Sequence, residues 1–423
     1  MIRLLAGAML ATMTLYPLGA TASMTPHNET PRALTALDLV NLKRVSDPRI
    51  SPDGKSVAYT LRTTDYDANK GITQIWLLDL ATQASRPLTS GETSSSSARW
   101  SGDGQSLYFL SARSGSNQLW KLDMRGGEAQ PVSDLPLDVN NYQLSPDGSR
   151  VAFSLEVFPE CKGDIARSKK KFDALAARKT TGMLFDKLFI RHWDTWSQGT
   201  RSQLFAAPLH DGKLGAPVLL SEDIDGDVPS KPFGDETEYT FSPDGKTVVF
   251  TARIAGRTEA WSTNLDLWQV PVSGGKKPIN LTAANEATDT APQFSPDGRH
   301  LAWTAMKRPK FEADRLAIML RDMKTGTTRE VAADWDRSAG PLRFSADGKT
   351  LYTQADDLGQ HRVFAIDVAS GKATALTGDG HVGGFDILGN TFVYALDSLN
   401  APADLYLAAL GAATKPKRLT DVN

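Results

Sequence analysis

One short segment of this 423-residue chain concentrates side chains that could bind a polar ligand. Residues 185–196 read Phe-Asp-Lys-Leu-Phe-Ile-Arg-His-Trp-Asp-Thr-Trp and contain the cation Arg191, the carboxylate Asp194 and the indoles of Trp193 and Trp196. A carboxylate pairs with an amino group, and a guanidinium pairs with a carbonyl or carboxylate. Indole rings supply apolar walls around such groups. The segment therefore predicts a site for the polar end of a ligand.

Glu156 lies upstream of this segment and is a second carboxylate that could hold an amino group. A structural alternative stays open, in which Arg191 and Asp194 form an ion pair that anchors the segment to the fold. We therefore predict a binding set of Glu156, Arg191, Trp193, Asp194 and Trp196, with the ion pair as the competing interpretation.

The sequence offers no catalytic residue that we can name. It lacks the Gly-x-Ser-x-Gly elbow, which exposes a nucleophilic serine beside amides that stabilise an oxyanion. Its six histidines are scattered, and it contains no His-Glu-x-x-His, paired-Cys or phosphate-loop motif. We expect no metal and no cofactor; for Asp223, Asp225 and Asp227 a solvated acidic loop is favoured over a Ca²⁺ site.

A repeated turn organises the rest of the chain. Ser-Pro-Asp-Gly, or a close variant, is followed by a run of β-forming residues, and Gly supplies the positive φ that such turns need. The copies begin at Ser51, Ser101, Ser145, Ser242, Ser295 and Ser345. A period near 50 residues with strands in every unit is typical of a β-propeller. The sequence therefore predicts an all-β, seven-bladed propeller over residues 45–423, in which the weaker seventh unit starts near Phe385.

The copies at Ser145 and Ser242 are 97 residues apart, nearly twice the usual spacing. We interpret the excess as a partly helical insertion at residues 156–200 of the third blade, since long loops without a role are uncommon. Its first half, residues 162–179, carries seven Lys or Arg against two Asp. A solvated helical face is the preferred interpretation of that charge, and an anion site is the alternative.

The ends and the charge of the chain bear on its location. Residues 1–22 read as an export signal, with Arg3, an apolar stretch and Ala20-Thr21-Ala22, and residues 23–44 form an extension before the first blade. A periplasmic or secreted protein is expected. A net charge of −2 argues against nucleic acid as a partner, and no stretch after the signal predicts a membrane span. The single Cys161 cannot form an internal disulfide.

The repeated blades, the entry Leu42-Lys43-Arg44-Val45-Ser46-Asp47-Pro48, the segment of residues 189–196 and the closing Arg418-Leu419-Thr420-Asp421-Val422-Asn423 resemble the propeller of exported prolyl-oligopeptidase-family serine peptidases, of the dipeptidyl-peptidase and acylaminoacyl-peptidase branch. The resemblance covers the whole predicted mature chain, and the Arg-His-Trp-Asp-Thr-Trp segment is its most specific part.

That resemblance implies a protein in which the propeller caps an α/β-hydrolase domain, admits only short peptides and binds their free amino ends. The hydrolase domain would supply the Ser, Asp and His triad, and this sequence stops at Asn423, where that domain would begin. We therefore expect proteolysis to require the missing domain, so whether this chain is itself an enzyme stays uncertain. The alternative is a TolB-like periplasmic interaction propeller, although only a short stretch precedes the first blade here.

Overall fold

The computed structural model describes residues 32–185, 188–411 and 415–423. The expected export signal lies outside the described residues. The chain divides into two compact units, Met1–Leu39 and Val40–Asn423. In the first unit, the Asp38 carboxylate accepts hydrogen bonds from Arg32 and Thr35 near the start of helix α1 (Ala36–Asn41).

Antiparallel sheets built from consecutive strands make up the first half of the second unit. The first sheet contains β1 (Arg44–Ile50), β2 (Ser56–Asp65), β3 (Lys70–Asp79) and β4 (Ser85–Pro87). The next contains β5 (Ser95–Trp100), β6 (Ser106–Ser111), β7 (Gln118–Asp123) and β8 (Gln130–Pro131). The sheet that follows begins with β9 (Val139–Leu144) and β10 (Arg150–Val157).

The chain then leaves this sheet before returning to it. After β10 come a 3-10 turn (Pro159–Cys161), helix α2 (Ile165–Ala176) and a separate hairpin of β11 (Arg191–His192) and β12 (Thr195–Trp196). It returns as β13 (Arg201–His210), with β14 (Lys213–Leu214) and β15 (Val218–Leu219) paired to it. Asp164 caps α2 by accepting a hydrogen bond from the backbone N–H of Arg167.

The second half of the unit repeats the same arrangement. One sheet contains β16 (Tyr239–Phe241), β17 (Thr247–Ala252), β18 (Asp266–Pro271) and β19 (Ile279–Asn280). The next contains β20 (Asp289–Phe294), β21 (His300–Ala305), β22 (Ala317–Asp322) and β23 (Thr328–Val331). The all-β prediction is confirmed by these sheets.

The last sheet has eight strands in two antiparallel halves. Its first half is β24 (Arg343–Phe344), β25 (Thr350–Asp357), β26 (Gln360–Asp367) and β27 (Ala373–Ala375). Its second half is β28 (His381–Leu388), β29 (Thr391–Ser398), β30 (Ala401–Ala409) and β31 (Lys417–Arg418). A parallel pairing of His361 with His381 joins the halves.

The repeated turn has one geometry in every copy. In the fourth, Gly245 has φ 67°, and the Ser242 hydroxyl donates to Asp244 at 2.6 Å while it accepts the N–H of Thr247 at 3.0 Å. The same serine-to-aspartate bond recurs from Ser51, Ser101, Ser145, Ser295 and Ser345. The motif therefore fixes both the reversal of the chain and the register between the strand before the turn and the strand after it.

The core lies between sheets rather than within one. Tyr108 and Leu110 of β6 pack with Tyr142 and Phe153 of the next sheet. Comparable apolar clusters lie between the other successive sheets. One of these clusters joins the two ends of the unit, because Val45 and Tyr59 share it with Val393 and Leu405.

Candidate functional site

The aromatic segment predicted from the sequence folds as the β11–β12 hairpin. Trp193 and Asp194 form its turn, where Trp193 has φ 47°, and the N–H of Ser197 bonds the carbonyl of Ile190 at 2.9 Å. The ring of Trp193 lies 4.6 Å from that of His192, and the ring of Trp196 lies 5.8 Å from that of Phe185. The short hairpin thus presents two indoles, which are 66% and 50% exposed.

Arg191 is committed to the hairpin itself. Its guanidinium donates to the carbonyl of Trp193 and lies 5.7 Å from the centre of the Trp196 ring. Among the ion pairs of the described residues there is none between Arg191 and Asp194. The alternative of an anchoring Arg191–Asp194 pair is therefore wrong, and Asp194 remains an exposed carboxylate.

Glu156 is the second-last residue of β10 and already has a cation beside it. Its carboxylate accepts hydrogen bonds from the Thr200 hydroxyl and, at 2.7 Å, from Nζ of Lys231. Lys231 also lies 3.1 Å from the buried carboxylate of Asp227. Burial lowers the pKa of Lys231, but Asp227 and Glu156 outweigh it and hold that pKa above its ordinary value. The negative charge of Glu156 is consequently compensated by Lys231.

A second cation, Arg201, sits beside this group at the start of β13. It binds both carboxylate oxygens of Glu259 at 2.6 Å and one oxygen of Asp227 at 2.9 Å. The hydrogen bonds to Glu259 are the largest cause of a raised pKa for Arg201, which burial opposes. Because Glu259 belongs to the 3-10 turn Gly256–Trp261 after β17, Arg201 joins two neighbouring sheets.

The carboxylates of the acidic loop have cationic partners, although the side chains of Asp223 and Asp225 are each 60% exposed. Asp227 contacts Arg201 and Lys231, Asp225 lies 3.7 Å from Arg201, and Asp223 lies 2.8 Å from Lys277. No group of three or more His, Cys, Asp or Glu side chains in the described part of the chain is arranged to hold a metal ion.

One segment that the sequence did not single out brings the predicted residues together. Lys231 binds Glu156, and two residues later the ring of Phe233 packs 5.5 Å from that of Trp193. Phe233 is 76% exposed, so it extends the apolar surface of the hairpin. In the sequence, the signal that could have identified this segment is a single Phe among polar residues in Ser-Lys-Pro-Phe-Gly-Asp.

A cavity of about 1000 Å³ lies among the first strands of the sheets. Its charged lining includes Arg99, which binds Asp47 at 2.9 Å and Glu236 at 2.7 Å, and Arg49, which binds Asp47 at 2.7 Å. Burial lowers the pKa of Arg99, but Asp47 and Glu236 raise it above its ordinary range. Arg343 and Asp386 form a further pair in the same cavity.

Known proteins match this chain at the level of sequence and of fold. The model of the TolB beta propeller domain matches residues 39–172. Dipeptidyl-peptidase 5 of Porphyromonas gingivalis is 28% identical over 390 residues, which cover 91% of this chain and 56% of the relative. Dipeptidyl-peptidase 5 of Arthroderma otae is 26% identical, with 85% and 52% covered. The chain thus spans about half the length of these relatives.

Two solved structures show the same fold. The acylaminoacyl peptidase of Pyrococcus horikoshii superimposes with a TM-score of 0.67 at 15% identity, covering 91% of this chain and 54% of that one. The β-propeller domain of the trilobed protease from Pyrococcus furiosus gives 0.61 at 15% identity, covering 90% and 96%. The resemblance to the propeller of prolyl-oligopeptidase-family peptidases is confirmed. The β11–β12 hairpin lies outside the four-stranded arrangement that the fold repeats.

In the described residues, no helix is long and apolar enough to cross a lipid bilayer.

Proposed function

We propose that this chain is the propeller of an exported serine peptidase, where it restricts entry to short peptides and holds their free amino ends for a hydrolase domain. The observation that carries the proposal is the match to dipeptidyl-peptidase 5, which extends over 91% of the chain. A turn motif shared by many propellers would not produce a match of that length.

We also propose that the sheets are seven blades and that the residues between β10 and β13 are an insertion in the third. Successive sheets, counting the two halves of the last one, share apolar clusters. The final half shares its cluster with the β1 sheet, as a closed ring requires. In a propeller each blade must bury large apolar residues against both neighbours.

Asp194 is the residue we assign to the substrate's amino group. It is exposed at the tip of a hairpin, and it forms no ion pair with any described residue. Glu156 is a weaker candidate because Lys231 already neutralises it. Trp193, Trp196 and Phe233 would contact the first side chains of the peptide, since exposed apolar patches of this kind are typical of binding surfaces. Arg191 would shape the turn.

Restricted entry is assigned to the charged cavity. The ion pairs of Arg99 connect β5 with Asp47 of β1 and with Glu236, which precedes β16. The Arg99–Glu236 pair joins blades that are not neighbours, so it would narrow the opening along the propeller axis. A folded protein would be excluded, whereas an extended short peptide approaching the aromatic hairpin would not.

The proposal is tested by comparing the peptidase activity of the longest protein that the gene encodes with that of residues 1–423 alone. The longest protein should hydrolyse dipeptidyl-coumarin substrates, whereas residues 1–423 alone should neither hydrolyse them nor react with a fluorophosphonate probe. Asp194→Asn should raise KM for free-amino substrates by about 10- to 100-fold, the loss expected for a charge-assisted hydrogen bond. KM for N-acetylated analogues should not change.

His210→Asn, at an exposed position of β13, is the matched control and should behave as the wild type. Equal effects of Asp194→Asn on free and acetylated substrates would refute the role of Asp194. Absence of peptidase activity from the longest product would refute the function as a whole. The TolB-like interaction propeller would then be the better interpretation, although its model matches only residues 39–172.

A further inference from the structure

Four titratable side chains form a row across the last sheet. Asp356 on β25 pairs with His361 on β26, His361 pairs with His381 on β28, and His381 pairs with Asp397 on β29. Directly paired residues of adjacent strands place their side chains on the same face. The order across the sheet is therefore carboxylate, imidazole, imidazole, carboxylate.

Each imidazole has a carboxylate beside its Nδ1 atom, which orients the ring. Nδ1 of His361 lies 2.7 Å from Asp356, and Nδ1 of His381 lies 3.0 Å from Asp397. A carboxylate accepts a hydrogen bond from Nδ1–H, and in that tautomer the neutral ring has its lone pair on Nε2. Neither Nε2 has a hydrogen-bond partner among the described residues. This carboxylate–imidazole arrangement is the one that orients histidines as metal ligands.

The distance between the rings suits a shared ion. Their centroids are 5.1 Å apart, with an angle of 33° between the planes. With metal–nitrogen bonds of about 2.0–2.1 Å and a tetrahedral angle, two imidazole centroids lie about 5 Å apart. His361 and His381 are partly exposed, with 28% and 57% of their side chains accessible, so an ion could reach them from solvent.

We propose that His361 and His381 bind a divalent transition metal ion such as Cu²⁺ or Zn²⁺. Water would complete the coordination. In the described part of the chain, no third His, Cys, Asp or Glu side chain is placed to act as a ligand with these two histidines. Asp356 and Asp397 orient the rings and add negative charge near the ion. The nearby Arg362 does not oppose binding strongly, since it is paired with Asp357 and Asp379.

A bound ion would link the two halves of the last sheet. The halves are joined through one parallel residue pair, supported by the bond from the N–H of His361 to the carbonyl of Gly380 at 3.0 Å. A ligand that binds only the folded state raises its stability. The ion should therefore raise the melting temperature of the propeller.

Cu²⁺ titration of the tag-free 423-residue chain tests this site. Electron paramagnetic resonance should show one tightly bound ion with two imidazole nitrogens. His361→Ala and His381→Ala should each weaken binding at least tenfold, and Asp356→Asn combined with Asp397→Asn should weaken it by about tenfold. His210→Ala, which removes an exposed histidine elsewhere, should leave binding unchanged.

Thermal unfolding with Zn²⁺ supplies a second readout that does not involve peptidase activity. The melting temperature should rise for the wild type and for His210→Ala, and should not rise for His361→Ala. Weaker Cu²⁺ binding and lost Zn²⁺ stabilisation in His361→Ala and His381→Ala, but not in His210→Ala, would support the site. Equal Cu²⁺ affinity and equal Zn²⁺ stabilisation in all three single variants and the wild type would overturn it. Circular dichroism would verify that each variant is folded.

Discussion

At the scale of single residues, the sequence predicted the composition of the β11–β12 hairpin but not the residues that pack against it. The hairpin residues Arg191 to Trp196 are neighbours in sequence, so their clustering of charge and aromatic rings was visible there. The partners Lys231 and Phe233 come from a segment distant in sequence, and only tertiary packing shows that they contact Glu156 and Trp193. The prediction that Glu156 holds an amino group remains a prediction, and the structure adds Lys231 at 2.7 Å from its carboxylate.

A buried carboxylate gives a pH prediction at this scale. Asp289 is 2% exposed, and burial raises its pKa to about 7, although bonds from Trp303 and Asn285 oppose this. In the unfolded chain its pKa is near 3.8. Between these values the folded state holds more protons than the unfolded state, so stability from this group is present at low pH and declines as pH rises toward 7.

Asp289→Asn removes that titration. The free energy of unfolding, measured by urea denaturation between pH 4 and 8, should fall less steeply with rising pH in the variant than in the wild type. The two slopes should differ by about 1.4 kcal/mol for each pH unit over which only the folded state keeps the Asp289 proton. The exposed Asp211→Asn should reproduce the wild-type slope. Parallel curves for Asp289→Asn and wild type would contradict the prediction.

At the scale of elements, the sequence predicted the turns better than the strand ends. The Ser-Pro-Asp-Gly motif is local, since its serine, aspartate and glycine bond one another and the next strand. A second repeated device was missed. After the fourth strand, the hydroxyl of Thr89 accepts the N–H of Ile75 and donates to Gln74, and equivalent bonds recur in other sheets. The partner of the hydroxyl is Gln in the first three sheets and Asp in two later ones, at variable spacing, which hides the pattern.

The turn motif leads to a prediction about glycine. Gly245 has φ 67°, and an added Cβ would meet only Asp147 at 3.8 Å, so Gly245→Ala adds backbone strain without a clash. We expect a loss of about 1–2 kcal/mol in the free energy of unfolding. Gly378→Ala is the matched control, because its Cβ also meets open space but its φ is not positive. Equal losses in the two variants would show that the left-handed backbone is not the cause.

At the scale of the whole molecule, closure between the first and last sheets is the feature with the widest consequences. Val45 of β1 and Leu405 of β30 lie in one cluster although they are 360 positions apart, and Asn423 exchanges two hydrogen bonds with Lys43. The period of the turn motif predicted repeating sheets. It could not show which residues seal the ends against each other, because no repeat contains that seam.

If this seam is a continuous core, mutations on its two sides should be coupled. Leu405→Ala should cost about 2–5 kcal/mol, and the cost of Val45→Ala combined with it should differ from the sum by at least 0.5 kcal/mol. Leu405→Ala with Leu301→Ala is the control pair, since Leu301 belongs to a different cluster and its effect should add. Both pairs would be measured by urea denaturation with two optical probes. Additive costs for Val45 and Leu405 would mean that the ends only touch, and the ring would then unfold from that seam before the rest of the molecule.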